Sequence, residues 1–300
     1  MQGVNSFAKY GLISLCNVIY KIFTNVIATR LAVLLPKLIS VKQGAFVRGW
    51  SIVENIALAQ ELFRDIGRKV RGGNLVVKLH MEKAYDRVDW QFLKQGFEIG
   101  RLSPSLFILA AETFSKGLSR LVSNGRCQVF KLKQGRMNTS HLLYVDDTVL
   151  FLNGPRQSIT AMTSFISKYQ DVSGQRVNLR KSSFFCSRKL TTARIRSIKQ
   201  SLGISKSARN FSYLGVPLVN RRIKCSLFAP LVNKVAAKIQ GWNARILSQA
   251  GRLALISYVL NGIPIHKLPA TIVSIKVLEN LESIFADFFW GWHDGVKKLH

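Results

Sequence analysis

One stretch constrains this chain more than any other: His141-Leu142-Leu143-Tyr144-Val145-Asp146-Asp147-Thr148-Val149-Leu150-Phe151. Two short apolar runs of β-type composition flank a pair of adjacent aspartates, a pattern that predicts strand, tight turn, strand. Aspartate is depleted in strands and enriched in turns, so the turn is expected to lift both carboxylates clear of the sheet at one shared point. Two like charges held side by side repel, and a divalent cation between them would offset that cost. Mg²⁺ is held by one or two carboxylates plus substrate phosphates, and phosphoryl-transfer sites commonly use two such ions ~3.5–4 Å apart. Without its flanks, the Asp-Asp pair would equally suit a solvated surface turn.

Composition narrows the partners. Of 300 residues, 44 are Lys or Arg against 15 Asp or Glu, giving a formal charge of +29 spread along the whole length. Such an excess points to a polyanion, most simply nucleic acid; a generic basic protein of ribosomal type would show the same balance. A hydrophobic content of 48% excludes a disordered chain and suffices for a core serving two or three subdomains. Cys16, Cys127, Cys186 and Cys225 lie far apart, with no zinc-type spacing to one another or to the histidines. Reduced, mostly buried thiols in an intracellular protein of nucleus or cytoplasm, not a secreted one, are therefore expected. Leu12–Tyr20 is broken by Ser14 and Asn17 and is followed by no clean cleavage site. No apolar run approaches the ~18–20 residues of a membrane span.

Periodicity gives the elements. Val18, Ile19, Ile22, Phe23, Val26, Ile27, Leu31, Leu34 and Leu35 recur at helical spacing up to Pro36 and Ser40. A second amphipathic helix starts at Ser51, a plausible N-cap, and the two helices are expected to pack together. Leu75–Leu79 reads as a buried strand. Ile159, Met162, Phe165, Ile166, Tyr169 and Val172 form a helix stopped by Gly174. Arg176–Ser182 reads as a basic strand and turn, and Phe211–Leu218 as an aromatic, glycine-containing hairpin. From Ser226 to Trp292 the chain is again helical. There Leu231, Val235, Ile239 and Trp242 share one face and Leu253, Ile256, Val259 and Leu260 another, with Lys234, Lys238, Arg245 and Arg252 among them.

The Tyr-x-Asp-Asp hairpin, and the wider string Ser140–Phe151, resemble the polymerase hairpin of reverse transcriptases, in the version of plant-type non-LTR (LINE-type) retrotransposons. The resemblance continues through Ile13–Asn17, Gln43–Val47 and Asn55-Ile56. It takes in His80-Met81-Glu82-Lys83-Ala84-Tyr85-Asp86-Arg87-Val88-Asp89-Trp90, which is similar to the first palm motif. Ala250-Gly251-Arg252 and Phe288-Phe289-Trp290-Gly291 match the region beyond the palm. It implies an α+β right-hand polymerase fold: fingers over 1–73, a palm over 74–220 whose sheet carries the hairpin, and a helical thumb over 221–300. It implies RNA-directed DNA synthesis with two Mg²⁺ (or Mn²⁺) ions, an RNA template, a DNA primer or RNA–DNA duplex, and deoxynucleoside triphosphates. Asp146 and Asp147 would be catalytic metal ligands, Tyr85 would check the nucleotide sugar, and Lys181 would face the triphosphate. Tyr213, Leu214 and Gly215 would grip the primer. Lys234, Lys238 and Arg252 would contact backbone phosphates from the thumb.

The sequence also departs from that family. His80 stands where a third catalytic aspartate is expected, and an imidazole offers one nitrogen that suits Zn, Cu or Ni better than Mg²⁺. Glu82 lies two residues on along the strand, about 6.6 Å away, and Asp86 lies beyond the strand end, so neither is expected to replace the lost carboxylate. A Gln-Gly-Asp-Pro segment that packs against template and nucleotide is missing, and residues 94–102 read as the junction of an internal deletion that shortens the palm. Gly11-Leu12 and Trp50 replace two arginines of the family pattern. Three readings follow: an active polymerase, a degenerate one that binds nucleic acid without polymerising, and a basic RNA-binding protein of other ancestry.

Overall fold

In a computed structural model, the described residues are 17–82, 103–133, 139–187, 189–207, 211–220, 225–242, 247–263 and 273–290. Their elements fall into two units, Met1–Tyr213 and Leu214–His300. The first contains α1 (Val18–Leu38), α2 (Ile52–Arg64), β1 (Asn74–His80), α3 (Ser103–Ser123), β2 (His141–Tyr144), β3 (Asp147–Asn153), α4 (Arg156–Ser173), β4 (Ser183–Cys186), α5 (Thr192–Leu202), β5 (Ser205–Lys206) and β6 (Phe211–Tyr213). The second contains β7 (Val216–Leu218), α6 (Ala229–Gln240), α7 (Gln249–Leu255), a π-helical turn at Ile256–Leu260, and α8 (Ile275–Trp290). Mixed helix and sheet agrees with the expected α+β class.

The first unit is built on one five-stranded sheet in the order β2-β3-β1-β4-β5, antiparallel except for β4 and β5. The central strand, β1, is covered on both faces, which explains its nearly continuous apolar run. Side chains alternate along a strand. Leu75, Val77 and Leu79 therefore face Phe107, Phe114 and Leu118 of α3 and Ile159 and Met162 of α4. Val76 faces the other way, beside Phe185 in register, and Phe63 of α2 lies 5.1 Å from the Phe185 ring and 5.8 Å from that of Phe211. Lys78 and His80 follow Val76 at two-residue steps, so they share this second face. It is the face that carries the site.

Several expectations hold. Ser51 caps α2, its hydroxyl accepting from the Val53 amide at 3.1 Å. α4 ends at Gly174, whose φ of 72° is a left-handed conformation that glycine adopts without a steric cost. In the second unit, Leu231 and Val235 are buried with Leu260, Val277, Leu281 and Phe288, and Ile239 and Trp242 pack against them.

Other expectations need correction. α1 does not bury its apolar stripe. Its buried end, Leu35, packs with Ile39 and Val47 against Ile108 of α3, whereas Val18, Ile19, Ile22 and Phe23 stay exposed, Phe23 at 65%. Helical spacing fixes which residues share a face but not whether a partner reaches that face along its whole length. Leu253 is exposed as well, and Leu255, Ile256 and Leu260 pack into the second unit's core instead. Arg176–Ser182 is mostly turn: Val177 makes a single bridge to Met81, and the strand starts at Ser183. Cys127 and Cys186 are buried free thiols as expected, but Cys225 is exposed. Tyr85, Asp86, Arg245 and the junction 94–102 lie outside the described residues.

Candidate functional site

The hairpin forms as its composition predicts, but its register separates the two aspartates. Tyr144 pairs with Asp147, so only Val145 and Asp146 make the turn, and Asp147 opens β3. As a strand residue directly opposite His80, Asp147 turns its carboxylate onto the sheet face beside that imidazole. Val145 holds φ at 53°, a left-handed backbone that a β-branched residue adopts only under strain. Its side chain packs against the core between the sheet and α3 and α4, which keeps the turn in that form.

His80 sits between the two carboxylates. Its Nδ1 lies 3.2 Å from Asp147 Oδ1 and its Nε2 lies 3.3 Å from Asp146 Oδ2. Lys78, on the same strand face, places Nζ 3.1 Å from Asp147 Oδ2 and donates also to the Ser212 carbonyl at 3.4 Å. Lys181 Nζ stands 3.5 Å from His80 Nε2. The Asn178 side chain fixes this lysine by accepting from the Arg180 and Lys181 amides at 3.1 Å each, a local turn of the kind Asn favours. The same segment clamps the strand end: the Asn178 amide donates to the His80 carbonyl at 2.8 Å, and Ser182 Oγ accepts from the His80 amide at 3.1 Å.

Of the residues expected from sequence, His80, Asp146, Asp147 and Lys181 are thus brought together. Glu82 is not among them: among the described residues, the group of side chains able to converge on one metal ion is His80, Asp146 and Asp147. Lys78, Asn178 and Ser182 escaped the sequence reading. A lysine inside an otherwise apolar buried strand was the available signal, because lysine is almost never buried unless paired.

The hairpin rests on a buried polar network. His141 is fully buried, its Nδ1 2.8 Å from Ser140 Oγ and its Nε2 2.8 Å from Ser115 Oγ on α3. Burial, then the Lys42 charge, pushes its pKa down to about 3. The Ser40 amide and hydroxyl donate to Glu112, and Lys42 Nζ donates to Ser119 Oγ at 2.9 Å, its pKa lowered by burial against the opposing pull of Glu112. These contacts tie residues 40–44 along β2, where the Leu143 amide donates to the Lys42 carbonyl and the Gly44 amide to that of Leu143. A Cβ at Gly44 would lie 2.1 Å from the Asn55 amide, so any larger residue there would displace Asn55 from its bond to the Leu143 carbonyl.

The residues expected to grip nucleic acid divide differently. Leu214 and Gly215 take the positive φ values, 51° and 77°, of a two-residue hairpin turn. Tyr213 is fully buried, because alternation turns Phe211 and Tyr213 inward together, so its ring is not available to a primer. Burial, then the nearby Asp147 charge, drives its phenol pKa upward. Lys234 and Lys238 are exposed on α6, flanking the face that buries Leu231 and Val235, and Lys238 Nζ lies 5.9 Å over the Trp242 ring. Arg252 is not on an outer face: it is buried and donates through Nη1 to the Phe289 carbonyl at 3.2 Å.

The comparison with protein families meets this geometry at the same hairpin. Residues 92–218 match the family described as reverse transcriptase (RNA-dependent DNA polymerase). The matched stretch takes in Asp146, Asp147, Lys181 and Tyr213–Gly215, while His80 and Tyr85 precede it. The match thus supports a reverse transcriptase-like domain around the hairpin, a family whose members generally use divalent metal ions. The chain is also 31% identical over 85 residues to a plant protein of Arabidopsis thaliana, "Putative ribonuclease H protein"; that stretch is 28% of this chain and 14% of the relative's length. Among the described residues, no helix is long and apolar enough to cross a membrane.

Proposed function

We propose that this chain is the reverse transcriptase domain of a LINE-type retrotransposon that binds nucleic acid but does not synthesise DNA. The carrying observation is His80 wedged between Asp146 and Asp147, within 3.3 Å of a carboxylate oxygen on each side. Two dications held ~3.5–4 Å apart repel strongly and need carboxylates free on all sides. Here Asp147 already meets Lys78 and the imidazole, Asp146 meets the imidazole, and Lys181 stands 3.5 Å from that ring. The donor set therefore does not fit a pair of Mg²⁺ ions. With no third carboxylate among the described residues at the site, primer hydroxyl and α-phosphate lose the alignment on which phosphoryl transfer depends.

Nucleic-acid binding survives such a loss, because it rests on dispersed charge. The formal charge of +29 and the exposed Lys234 and Lys238 support binding to RNA and duplex with little sequence preference. Affinity should fall steeply with salt, with a log–log slope of about −0.9 per phosphate contact on duplex DNA. Lys234→Glu with Lys238→Glu should flatten that slope by about two contacts' worth. Primer extension with Mg²⁺ or Mn²⁺ should give no product from the chain as it stands, and none from His80→Asp alone, since the missing nucleotide-positioning segment is a separate defect. Product from the unaltered chain, abolished by Asp146→Ala, would show instead that it polymerises.

A further inference from the structure

The mismatch with a Mg²⁺ pair leaves a three-donor cluster with a chemistry of its own. The ligand atoms of His80, Asp146 and Asp147 lie within 4.8 Å of one another, and all three side chains are partly exposed. One imidazole nitrogen and two carboxylate oxygens are donors that Zn²⁺ and its neighbours in the transition series accept readily. Mg²⁺ prefers oxygen throughout and sheds its water reluctantly.

Charge sets the number of ions. Asp146 and Asp147 supply two negative charges. Lys78, 3.1 Å from Asp147 Oδ2, and Lys181, 3.5 Å from His80 Nε2, supply two positive ones. A first dication is acceptable if a lysine swings away, since both lysines have long flexible stems. A second dication would face the first with no further carboxylate among the described residues to separate them. Backbone rigidity favours the cluster: His80 is held at its amide and its carbonyl by Ser182 and Asn178, and Asp147 is fixed in register opposite it.

We infer that His80, Asp146 and Asp147 form a mononuclear site for one borderline transition-metal dication of the Zn²⁺, Ni²⁺ and Cu²⁺ class, and that it selects such an ion over Mg²⁺. This inference uses the same side chains as the proposed function but not the loss of synthesis. Primer extension tests that reading, and equilibrium metal binding tests this one, so either can fail alone.

The test is calorimetric titration of the metal-free full chain with ZnCl₂, NiCl₂ and MgCl₂, with Cu²⁺ electron paramagnetic resonance as a second readout. Zn²⁺ and Ni²⁺ should each occupy one site dependent on His80, at least ~100-fold tighter than Mg²⁺ given the ligand preferences of these ions. The Cu²⁺ spectrum should carry the hyperfine splitting of a single nitrogen. His80→Ala should weaken Zn²⁺ by more than the ~10–100-fold typical of second-shell changes and erase that splitting. His80→Asp should narrow the preference, strengthening Mg²⁺ and weakening Ni²⁺. Asp146→Asn, in the turn and half-exposed, is a second variant should His80→Ala misfold, and it should weaken Zn²⁺ as well. The inference is overturned by Mg²⁺ binding as tightly as Zn²⁺, by two Mg²⁺ per chain, by a Cu²⁺ spectrum without nitrogen, or by Zn²⁺ binding that neither variant alters.

Discussion

Lowering the pH should loosen the hairpin from beneath, through His141. Its ordinary pKa of 6.5 falls to about 3 in the folded chain, from burial first and the Lys42 charge second. Below about pH 6.5 the unfolded chain takes up a proton at this residue that the folded chain refuses. Stability is therefore full above that pH and is lost progressively as pH falls toward about 3. Each pH unit inside the window costs ~1.4 kcal/mol, so going from about pH 7 to about pH 5 should remove ~2 kcal/mol from the unit that holds the sheet. Urea unfolding followed by hydrogen exchange of β2 and β3 peptides measures it. His141→Gln removes the titrating group but keeps an amide that can reach the Ser115 and Ser140 hydroxyls, and its stability should lack this acid slope. Parallel pH profiles for the two proteins, or an imidazole NMR titration with a midpoint near 6.5 for His141, would refute the argument.

Three further outcomes are expected. A Cβ at Gly117 would lie 2.4 Å from the Phe165 ring, which stacks on Phe114 and cannot simply move aside; Gly117→Ala should destabilise by about 1–3 kcal/mol in thermal or urea unfolding despite its better helix propensity. Lys78→Met removes the cation competing for Asp147 Oδ2 and should tighten Zn²⁺ binding several-fold by calorimetry. Ile22→Ser with Phe23→Ser, both exposed on α1, should leave the melting temperature within about 2 °C and lower self-association in light scattering, because surface substitutions usually change stability by less than ~0.5 kcal/mol.

What the sequence revealed was whatever depends on neighbours along the chain. The Asp pair between apolar runs, the cap at Ser51 and the stop at Gly174 each rest on local backbone preferences, and each is present. The face of α6 is also local, since helical spacing alone aligns Leu231 with Val235. Pairing across the chain was less visible. Nothing in Tyr144–Phe151 says that the turn closes after Asp146 instead of after Asp147; the ladder with β1 decides it. Tyr213 and Arg252 carried the residue types of a nucleic-acid surface, yet alternation buries one and the Phe289 carbonyl holds the other. α1 shows the converse, an apolar stripe whose partner at its first turns is not found among the described residues.

The site itself depends on a contact no local rule could supply. Replacing an aspartate by His80 would, in isolation, leave two repelling carboxylates short of one ligand. Here the strand register brings Asp147 opposite His80, the Asn178 turn brings Lys181 to the ring, and Lys78 approaches from two residues back. His80 thus lies in a cluster that is neutralised from within, in which each carboxylate has a partner before any ion arrives. A polymerase site must do the opposite, keeping its carboxylates underneutralised so that cations complete it. On that contrast, His80→Asp is expected to raise Mg²⁺ affinity at Asp146 and Asp147 before any DNA synthesis appears.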